Sequence, residues 1–144
     1  MFYLDASVIV AAVTDEPHRT AVLQWLRANQ DKLVVSSWTL TEVASALSIK
    51  VRDLRLTESD KDAGWRQVEA MRNTVLMQTV IEEPHFYAAL RFVSQHQTGL
   101  RGGDALHIAV TADYDCALVT LDRRMAKGAR LIGLAVVELP NPPQ

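Results

Sequence analysis

Four acidic residues in this 144-residue chain stand where carboxylates could share one metal ion: Asp5, Glu42, Asp104 and Asp122. Asp5 follows the apolar run at residues 2–4 and Asp122 follows a second apolar run, so both end predicted strands and begin predicted helices. In an open parallel sheet, ligands bind beyond the carboxyl ends of the strands, where the winding reverses. Carboxylates suit a hard divalent cation, and without one they repel each other. The sequence therefore predicts a cation site.

The sequence around these acids predicts alternating strands and helices. Short apolar runs alternate with helical periodicities, which is the pattern of βαβ units and a parallel sheet. We expect about five strands, at residues 2–4, 33–36, 75–80, 117–121 and 134–139. Helices are expected to begin near residues 7, 15, 39, 57, 83, 104 and 122, the last being short and ending before Gly128. On the helix at 83–97, the residues expected to face inward are Phe86, Ala89, Leu90 and Val93.

Size and charge limit the classes of function. A chain of this length suits one domain, which we place at residues 1–139, followed by an irregular tail at 140–144. The net charge of −2 excludes a global basic field, so any contact with nucleic acid needs a local patch. The single Cys116 cannot form an internal disulfide, and the first residues show neither an export signal nor a membrane span. We therefore expect a cytosolic protein without membrane contact.

Each acid also has a purely structural explanation. Asp is a favoured N-cap, so Asp5, Asp104 and Asp122 could each satisfy free backbone amides at a helix start. Residues 39–42 match a capping box, with Glu42 at the third helical position. Capping accounts for each acid separately, but not for acids on the helices after both candidate central strands. The two roles are compatible, because helix N-termini also favour anions.

Four segments, taken in order, carry a family resemblance: Asp5-Ala6-Ser7, Thr41-Glu42-Val43, the run from Asp104 to Ala109 with the pattern Asp-Ala-Leu-x-x-Ala, and Thr120-Leu121-Asp122. Together they resemble the motifs of PIN-domain ribonucleases of the VapC type, the toxin half of a bacterial toxin–antitoxin pair. The resemblance covers essentially the whole chain and departs at no acidic position. It implies an α/β fold with three α/β/α layers around a roughly five-stranded parallel sheet, an Mg²⁺ or Mn²⁺ site, RNA cleavage, a homodimer and inhibition by an antitoxin protein.

The resemblance and the residue types together suggest roles for the site residues. Asp5, Asp104 and Asp122 are expected to bind the cation directly or through water, and Glu42 to bind it or to orient the attacking water. Such a cation acidifies a bound water and shields phosphate charge, so no protein nucleophile is needed. Ser7 and Thr120 could position a carboxylate or the scissile phosphate through their hydroxyl groups, although both also fit a structural role.

Basic residues near the acids supply a candidate RNA-binding patch. Arg101 precedes Asp104, and a basic stretch follows Asp122, beginning with Arg123 and continuing with Arg124, Lys127 and Arg130. Arg101 and Arg123 are the candidates for phosphate contacts, which position RNA without reading its sequence. The others also fit a solvated helix face. The four histidines share no metal-ligand spacing, and His107 is interpreted as a hydrogen-bonded packing residue.

Three other functions fit parts of the pattern. A haloacid-dehalogenase-like phosphatase would need a second Asp two residues after the first, where this chain has Ser7. A receiver domain would need an acidic pair after the first strand and a Lys near the last, and neither is present. A noncatalytic binding module that keeps the fold is disfavoured because all four acids are intact.

The segments at 39–51 and 57–71 are rich in apolar residues, so we expect the homodimer and antitoxin interfaces there. The residues concerned, including Leu54 between the two helices, are Leu40, Val43, Leu47, Val51, Leu54, Trp65 and Val68.

Overall fold

The computed structural model describes residues 1–139, so the tail predicted at 140–144 lies outside the described part. The elements, in chain order, are β1 (Phe2–Leu4), α1 (Ala6–Val13), α2 (Arg19–Ala28), β2 (Leu33–Ser36), α3 (Ser37–Arg52), α4 (Glu58–Thr74), β3 (Leu76–Thr79), α5 (Glu83–Val93), α6 (Gly102–Asp113), β4 (Ala117–Val119), α7 (Arg123–Ile132) and β5 (Val136–Val137). Short 3₁₀ turns at Gln30–Lys32 and His96–Thr98 precede β2 and follow α5.

The five described strands form one parallel sheet in the order β3-β2-β1-β4-β5. The chain moves outward from β1 through β2 to β3, and then returns to place β4 on the other side of β1. The winding therefore reverses between β1 and β4, where Leu4 is in register with Val119. Asp5 directly follows β1, and Thr120 and Asp122 follow β4, so this switch point carries three of the predicted site residues.

Helices cover both faces of the sheet. Leu4, Val35 and Val119 belong to the core cluster that packs against α1, α3 and α4. Tyr3, Val34 and their neighbours point the other way and pack against α6 and α7. Successive strand residues face opposite sides, so buried residues on both faces produce the near-continuous apolar strands seen in the sequence. The expected three-layer fold with a five-stranded parallel sheet is confirmed.

Three helix starts differ from the sequence prediction. Helix α2 begins at Arg19 and not near residue 15, because the chain turns first, with the Glu16 amide donating to the Thr14 carbonyl and the Arg19 amide to the Glu16 carbonyl. The N-cap of α3 is Ser36, whose side chain accepts from the Thr39 amide, so the predicted capping box from Thr39 to Glu42 is wrong. The reason is that β2 runs directly into the helix, and the Ser and Thr hydroxyls close the box one turn earlier. Helix α6 begins at Gly102, which makes Asp104 its third residue instead of its cap.

Helix α7 is longer than predicted, since it continues through Gly128 to Ile132. Gly133 follows it as the C-cap, with a φ of 94° that favours glycine. Gly128 is a packing position: a Cβ there would lie 2.4 Å from Leu100 Cδ2 and 3.1 Å from the Thr98 carbonyl oxygen. The glycine lets the segment before α6 lie against the helix. Strand β5 is correspondingly shorter than predicted.

The apolar surface of α5 was predicted to face inward, and most of it does not. Ala89 is buried, but Phe86 and Leu90 are 56% and 61% exposed, and Val93 is also exposed. Conversely, Leu47 and most apolar residues of α3 and α4 belong to the core, where they pack against α1. These core residues are therefore not available for an interface. No helix within residues 1–139 has the length and apolar character needed to cross a membrane.

Candidate metal centre

All four predicted acids line one cavity of about 760 Å³ at the switch point of the sheet. Asp5 comes from the end of β1, Glu42 from the second turn of α3, Asp104 from the first turn of α6, and Asp122 from the start of α7. The carboxyl ends of parallel strands and the amino ends of the following helices meet at this edge. Residues far apart in sequence therefore converge in one place.

Asp5 is the most buried of the four, with 3% of its surface exposed. Ser7 Oγ donates to Asp5 Oδ1 at 2.6 Å, and Thr120 Oγ1 donates to Asp5 Oδ2 at 2.9 Å. Burial raises the pKa of Asp5, and the hydrogen bond from Ser7, the nearby His107 and the bond from Thr120 partly oppose that rise. A buried carboxylate of this kind would be stabilised by a nearby cation.

The hydroxyls of Ser7 and Thr120 also tie the two central loops together. The Leu121 amide donates to Ser7 Oγ at 2.9 Å, and the Asp122 amide donates to Thr120 Oγ1 at the same distance. Each hydroxyl therefore accepts from the segment after β4 while it donates to Asp5. The orientation of the Asp5 carboxylate and the path of the chain into α7 are set by the same two side chains.

Asp122 caps α7 through one carboxylate oxygen, as the sequence predicted. Its other oxygen lies near Arg124. Its Oδ1 accepts from the backbone amides of Arg124 and Met125 at 2.8 and 3.1 Å. Its Oδ2 lies 3.8 Å from Arg124 Nη2. Asp104 Oδ2 accepts from the Arg101 amide at 2.9 Å and lies 3.6 Å from Arg124 Nε. Both carboxylates thus combine a capping role with a position on the cavity wall.

Glu42 has no capping role, and its carboxylate ends a buried polar network. Glu42 Oε2 lies 2.6 Å from His107 Nε2, and His107 Nδ1 lies 2.9 Å from the Tyr3 hydroxyl. That hydroxyl also contacts Ser36 Oγ at 2.6 Å and accepts from Thr39 Oγ1 at 3.2 Å. An ionised carboxylate can only accept, so His107 Nε2 donates to it, and in the neutral ring Nδ1 then accepts from Tyr3.

The central groups of the network are inaccessible to water. Tyr3 and His107 are completely buried, and burial raises the pKa of Tyr3 to about 12. The network crosses from β1 to α6 and α3, so it fixes Glu42 relative to the sheet. Gly103 allows a close approach on the other side, since a Cβ there would lie 3.0 Å from Glu42 Oε1 and 3.3 Å from Trp38 Cζ2.

The chemistry of the donor set fits a hard divalent cation. Four carboxylates face one cavity, and carboxylate oxygens are the ligands that Mg²⁺ and Mn²⁺ prefer. As they stand, no three acidic, His or Cys side chains within residues 1–139 are close enough together to hold one ion. The guanidinium of Arg124 lies near both Asp104 and Asp122. A cation would therefore enter a pocket that now contains a protein charge.

Most of the other predicted site residues lie at this cavity. Ser7 and Arg101 line it, and Thr120 is buried directly behind Asp5. Arg123 does not line it. It lies in an adjoining cleft of about 330 Å³, which shares His18, Leu121 and Asp122 with the main cavity. An arginine at the first position of α7 points away from the next one, so only one of the pair can face the acids.

Sequence reasoning missed two residues on the cavity wall. Arg124 was treated as part of a basic helix face, and only its place on the side of α7 next to α6 gives it contact with the acids. Trp38, at the start of α3, lines the cavity, and its Nε1 is buried without a hydrogen-bond partner in the described part of the chain. No motif marks Trp38. For Arg124, the only sequence signal of a place near the acids was its position two residues after Asp122.

Comparison with protein families gives a match to the PIN domain, over residues 2–131. No protein with a curated description matches the chain significantly by sequence.

Several solved structures share the fold. VapC20 of Mycobacterium tuberculosis, described as a Sarcin-Ricin loop cleaving toxin, aligns with a TM-score of 0.74 at 13% identity, covering 97% of this chain and 100% of that one. VapBC2 of Rickettsia felis, solved with promoter DNA, gives 0.72 at 17% identity over 97% and 100%. FitAcB of Neisseria gonorrhoeae gives a TM-score of 0.70 at 19% identity over 96% and 97%. At these identities, the similarity establishes a common fold.

Proposed function

Because the chain belongs to the PIN-domain family, we propose that it is an endoribonuclease dependent on Mg²⁺ or Mn²⁺, and the toxin of a toxin–antitoxin pair. One observation carries the proposal: Asp5, Glu42, Asp104 and Asp122, from four separate elements, line the same cavity. Capping explains the positions of Asp5, Asp104 and Asp122, but it does not explain Glu42, which caps nothing. A shared site accounts for all four.

In this proposal, Asp5, Asp104 and Asp122 are the metal ligands, directly or through water, and Glu42 orients the attacking water or completes the ligand set. A bound cation would acidify that water and shield the charge of the phosphate oxygens. His107 holds Glu42 Oε2, which leaves Oε1 beside Gly103 to accept a hydrogen bond from the water. Ser7 and Thr120 hold the Asp5 carboxylate with both oxygens engaged.

RNA would be positioned by local positive charge, since the chain as a whole carries a net charge of −2. Arg101 lies on the wall of the main cavity, and Arg123 lies in the adjoining cleft on the other side of Asp122. The two clefts meet at Asp122, so a strand lying through both would bring a phosphate to the acids while Arg101 and Arg123 bind its neighbours. Such contacts position the RNA backbone without reading its sequence.

The test is a cleavage assay with purified protein free of antitoxin, on single-stranded and stem-loop RNA. We expect cleavage only with Mg²⁺ or Mn²⁺, and products with 5′-phosphate and 3′-hydroxyl ends, because the nucleophile is water. Asp104→Asn should abolish cleavage, whereas Asp60→Asn, which alters an acid that only caps α4, should retain it. Products ending in a 2′,3′-cyclic phosphate, or full activity in excess chelator, would contradict the proposal.

The exposed apolar surface of α5 supports a homodimer, at a different place from the segments 39–51 and 57–71 where the sequence analysis expected it. Phe86, Tyr87 and Leu90 are all more than half exposed, and Phe86 and Leu90 line an apolar groove of about 670 Å³ beside Trp38. Apolar surface of this kind on a small domain marks an interaction site. Light scattering should give a dimer for the wild type and a monomer for Leu90→Asp. Leu131→Asp, which changes a similarly exposed leucine on α7, should remain dimeric. Equal behaviour of the two variants would exclude α5 as the interface.

A cleft of about 400 Å³ between α3 and α4 supports the predicted antitoxin interface. Its wall includes Ala44, Ser48 and Trp65. A cleft between two helices suits an amphipathic segment laid against them. We expect Ala44→Trp to fill the cleft and to prevent co-purification of the antitoxin. The control is Ala70→Trp, at an exposed position of α4 outside the cleft. Retention of the antitoxin by both variants would place its binding site elsewhere.

A further inference from the structure

Arg124 lies in the proposed metal pocket without a hydrogen bond to account for its place there. Its Nε lies 3.6 Å from Asp104 Oδ2 and its Nη2 lies 3.8 Å from Asp122 Oδ2. Both distances are too long for hydrogen bonds, and Nε is buried with no hydrogen-bond partner among residues 1–139. The guanidinium therefore interacts with the two carboxylates mainly through its charge.

The local structure does not favour a cation at this position. Arg124 is the second residue of α7, and the amino end of a helix carries positive partial charge that repels a cation. Its own backbone amide already donates to Asp122 Oδ1. The attraction that remains is the negative charge of Asp104 and Asp122. Without the guanidinium, α6 and α7 would bring these two carboxylates together with no counterion.

We propose that Arg124 is the internal counterion of the metal-free pocket, and that it competes with the divalent cation for Asp104 and Asp122. With no cation bound, its charge reduces the repulsion between the carboxylates. When a cation binds, the guanidinium must give up those contacts, so Arg124 weakens metal binding. Without a cation, Arg124 holds the pocket ready for one. This inference rests on the proposed function, because it requires that the acids bind a cation.

The size of the effect follows from the exposure of the groups. The side chains of Arg124 and Asp122 are 38% and 36% exposed, and that of Asp104 is 13% exposed. Partly exposed pairs change an equilibrium by factors of about 1.4 to 5 each. Loss of both contacts in Arg124→Gln should therefore tighten Mn²⁺ binding by roughly 2- to 25-fold.

The experiment is calorimetric titration of Mn²⁺ into the full chain, free of antitoxin, together with thermal melts in chelator. We expect Arg124→Gln and Arg124→Met to bind Mn²⁺ more tightly than the wild type and to melt at a lower temperature without metal. Lys127→Gln removes an equal charge one turn later on α7, at an exposed position, and should match the wild type within about twofold. Two neutral variants guard against a folding defect in one of them.

Each outcome decides the inference. Unchanged Mn²⁺ affinity in both variants would overturn it and would leave Arg124 as a phosphate contact. Weaker binding would overturn it by showing that Arg124 helps to orient the ligands. If Lys127→Gln tightened Mn²⁺ binding equally, the effect would come from the net charge of the protein, and the inference would also be overturned. If the wild type binds no Mn²⁺, the proposed function fails together with this inference, whereas failure of the variants alone leaves the proposed function intact.

Discussion

Replacing Tyr3 by Phe tests the buried network that fixes Glu42. The ring stays in the core, and the variant removes only the hydroxyl, which contacts Ser36 Oγ, His107 Nδ1 and Thr39 Oγ1. Thr39 Oγ1 also donates to the Leu4 carbonyl, and Ser36 Oγ also accepts from the Thr39 amide, so both keep a partner. His107 Nδ1 loses its partner in a completely buried site.

One unpaired buried acceptor costs roughly 1–3 kcal/mol. For a domain of this size, that should lower the melting temperature by roughly 3–10 °C. Differential scanning calorimetry without metal measures it, with Tyr114→Phe as the control. The Tyr114 hydroxyl bonds Val80 in an exposed position, so water can replace it and the change should stay within about 0.5 kcal/mol.

A double-mutant cycle refines the assignment. His107→Leu removes the acceptor that Tyr3→Phe leaves unpaired, so the double variant should be less destabilised than the sum of the single variants by roughly 0.5–3 kcal/mol. An additive result, or equal losses for Tyr3→Phe and Tyr114→Phe, would refute the account of the network.

Three further predictions concern stability. Gly128→Ala should lower the free energy of unfolding by about 1–3 kcal/mol in a urea titration, because the added Cβ would overlap Leu100 Cδ2 at 2.4 Å. Thr57→Ala should lower it by about 0.5–2 kcal/mol, because the Thr57 side chain accepts from the Asp60 amide at the start of α4. The folded pKa of Tyr3, raised to about 12 from 10.0, implies full stability below pH 10 and a loss between pH 10 and 12 that Tyr3→Phe should lack. Wild-type and Tyr3→Phe urea curves with the same pH dependence would contradict this.

The layers and strands of the fold could be predicted because each carries a local signal. Buried strands such as Leu33–Ser36 read as continuous apolar runs, and parallel pairing follows from their alternation with helices. The orientation of α5 could not be read in this way. Phe86, Leu90 and Val93 share one helical face, but periodicity does not tell a face that packs on the core from one that meets solvent or another chain.

Convergence of the four acids in one cavity could be predicted in outline, because strand ends and helix starts meet at the switch point. The details depended on side-chain packing that has no sequence period. The cap of α3 at Ser36 frees Glu42 to reach His107, and two candidate capping boxes differing by one turn are hard to separate by motif alone. Likewise, nothing local distinguishes Arg123 from Arg124, although only Arg124 lies beside Asp104.

The claim that the acids form one cation site is tested most directly by thermal melts of the wild type, Asp5→Asn and Asp60→Asn, with and without Mn²⁺. At about a hundred times its dissociation constant, Mn²⁺ should stabilise the wild type and Asp60→Asn by roughly 2.7 kcal/mol, or about 5–10 °C. Asp5→Asn should lose most of that shift. Its shift is measured against its own melting temperature without metal, because the Asn amide nitrogen would face the Ser7 or Thr120 hydroxyl that now donates to Asp5. Identical Mn²⁺ shifts in all three proteins, or none in the wild type, would contradict a shared site.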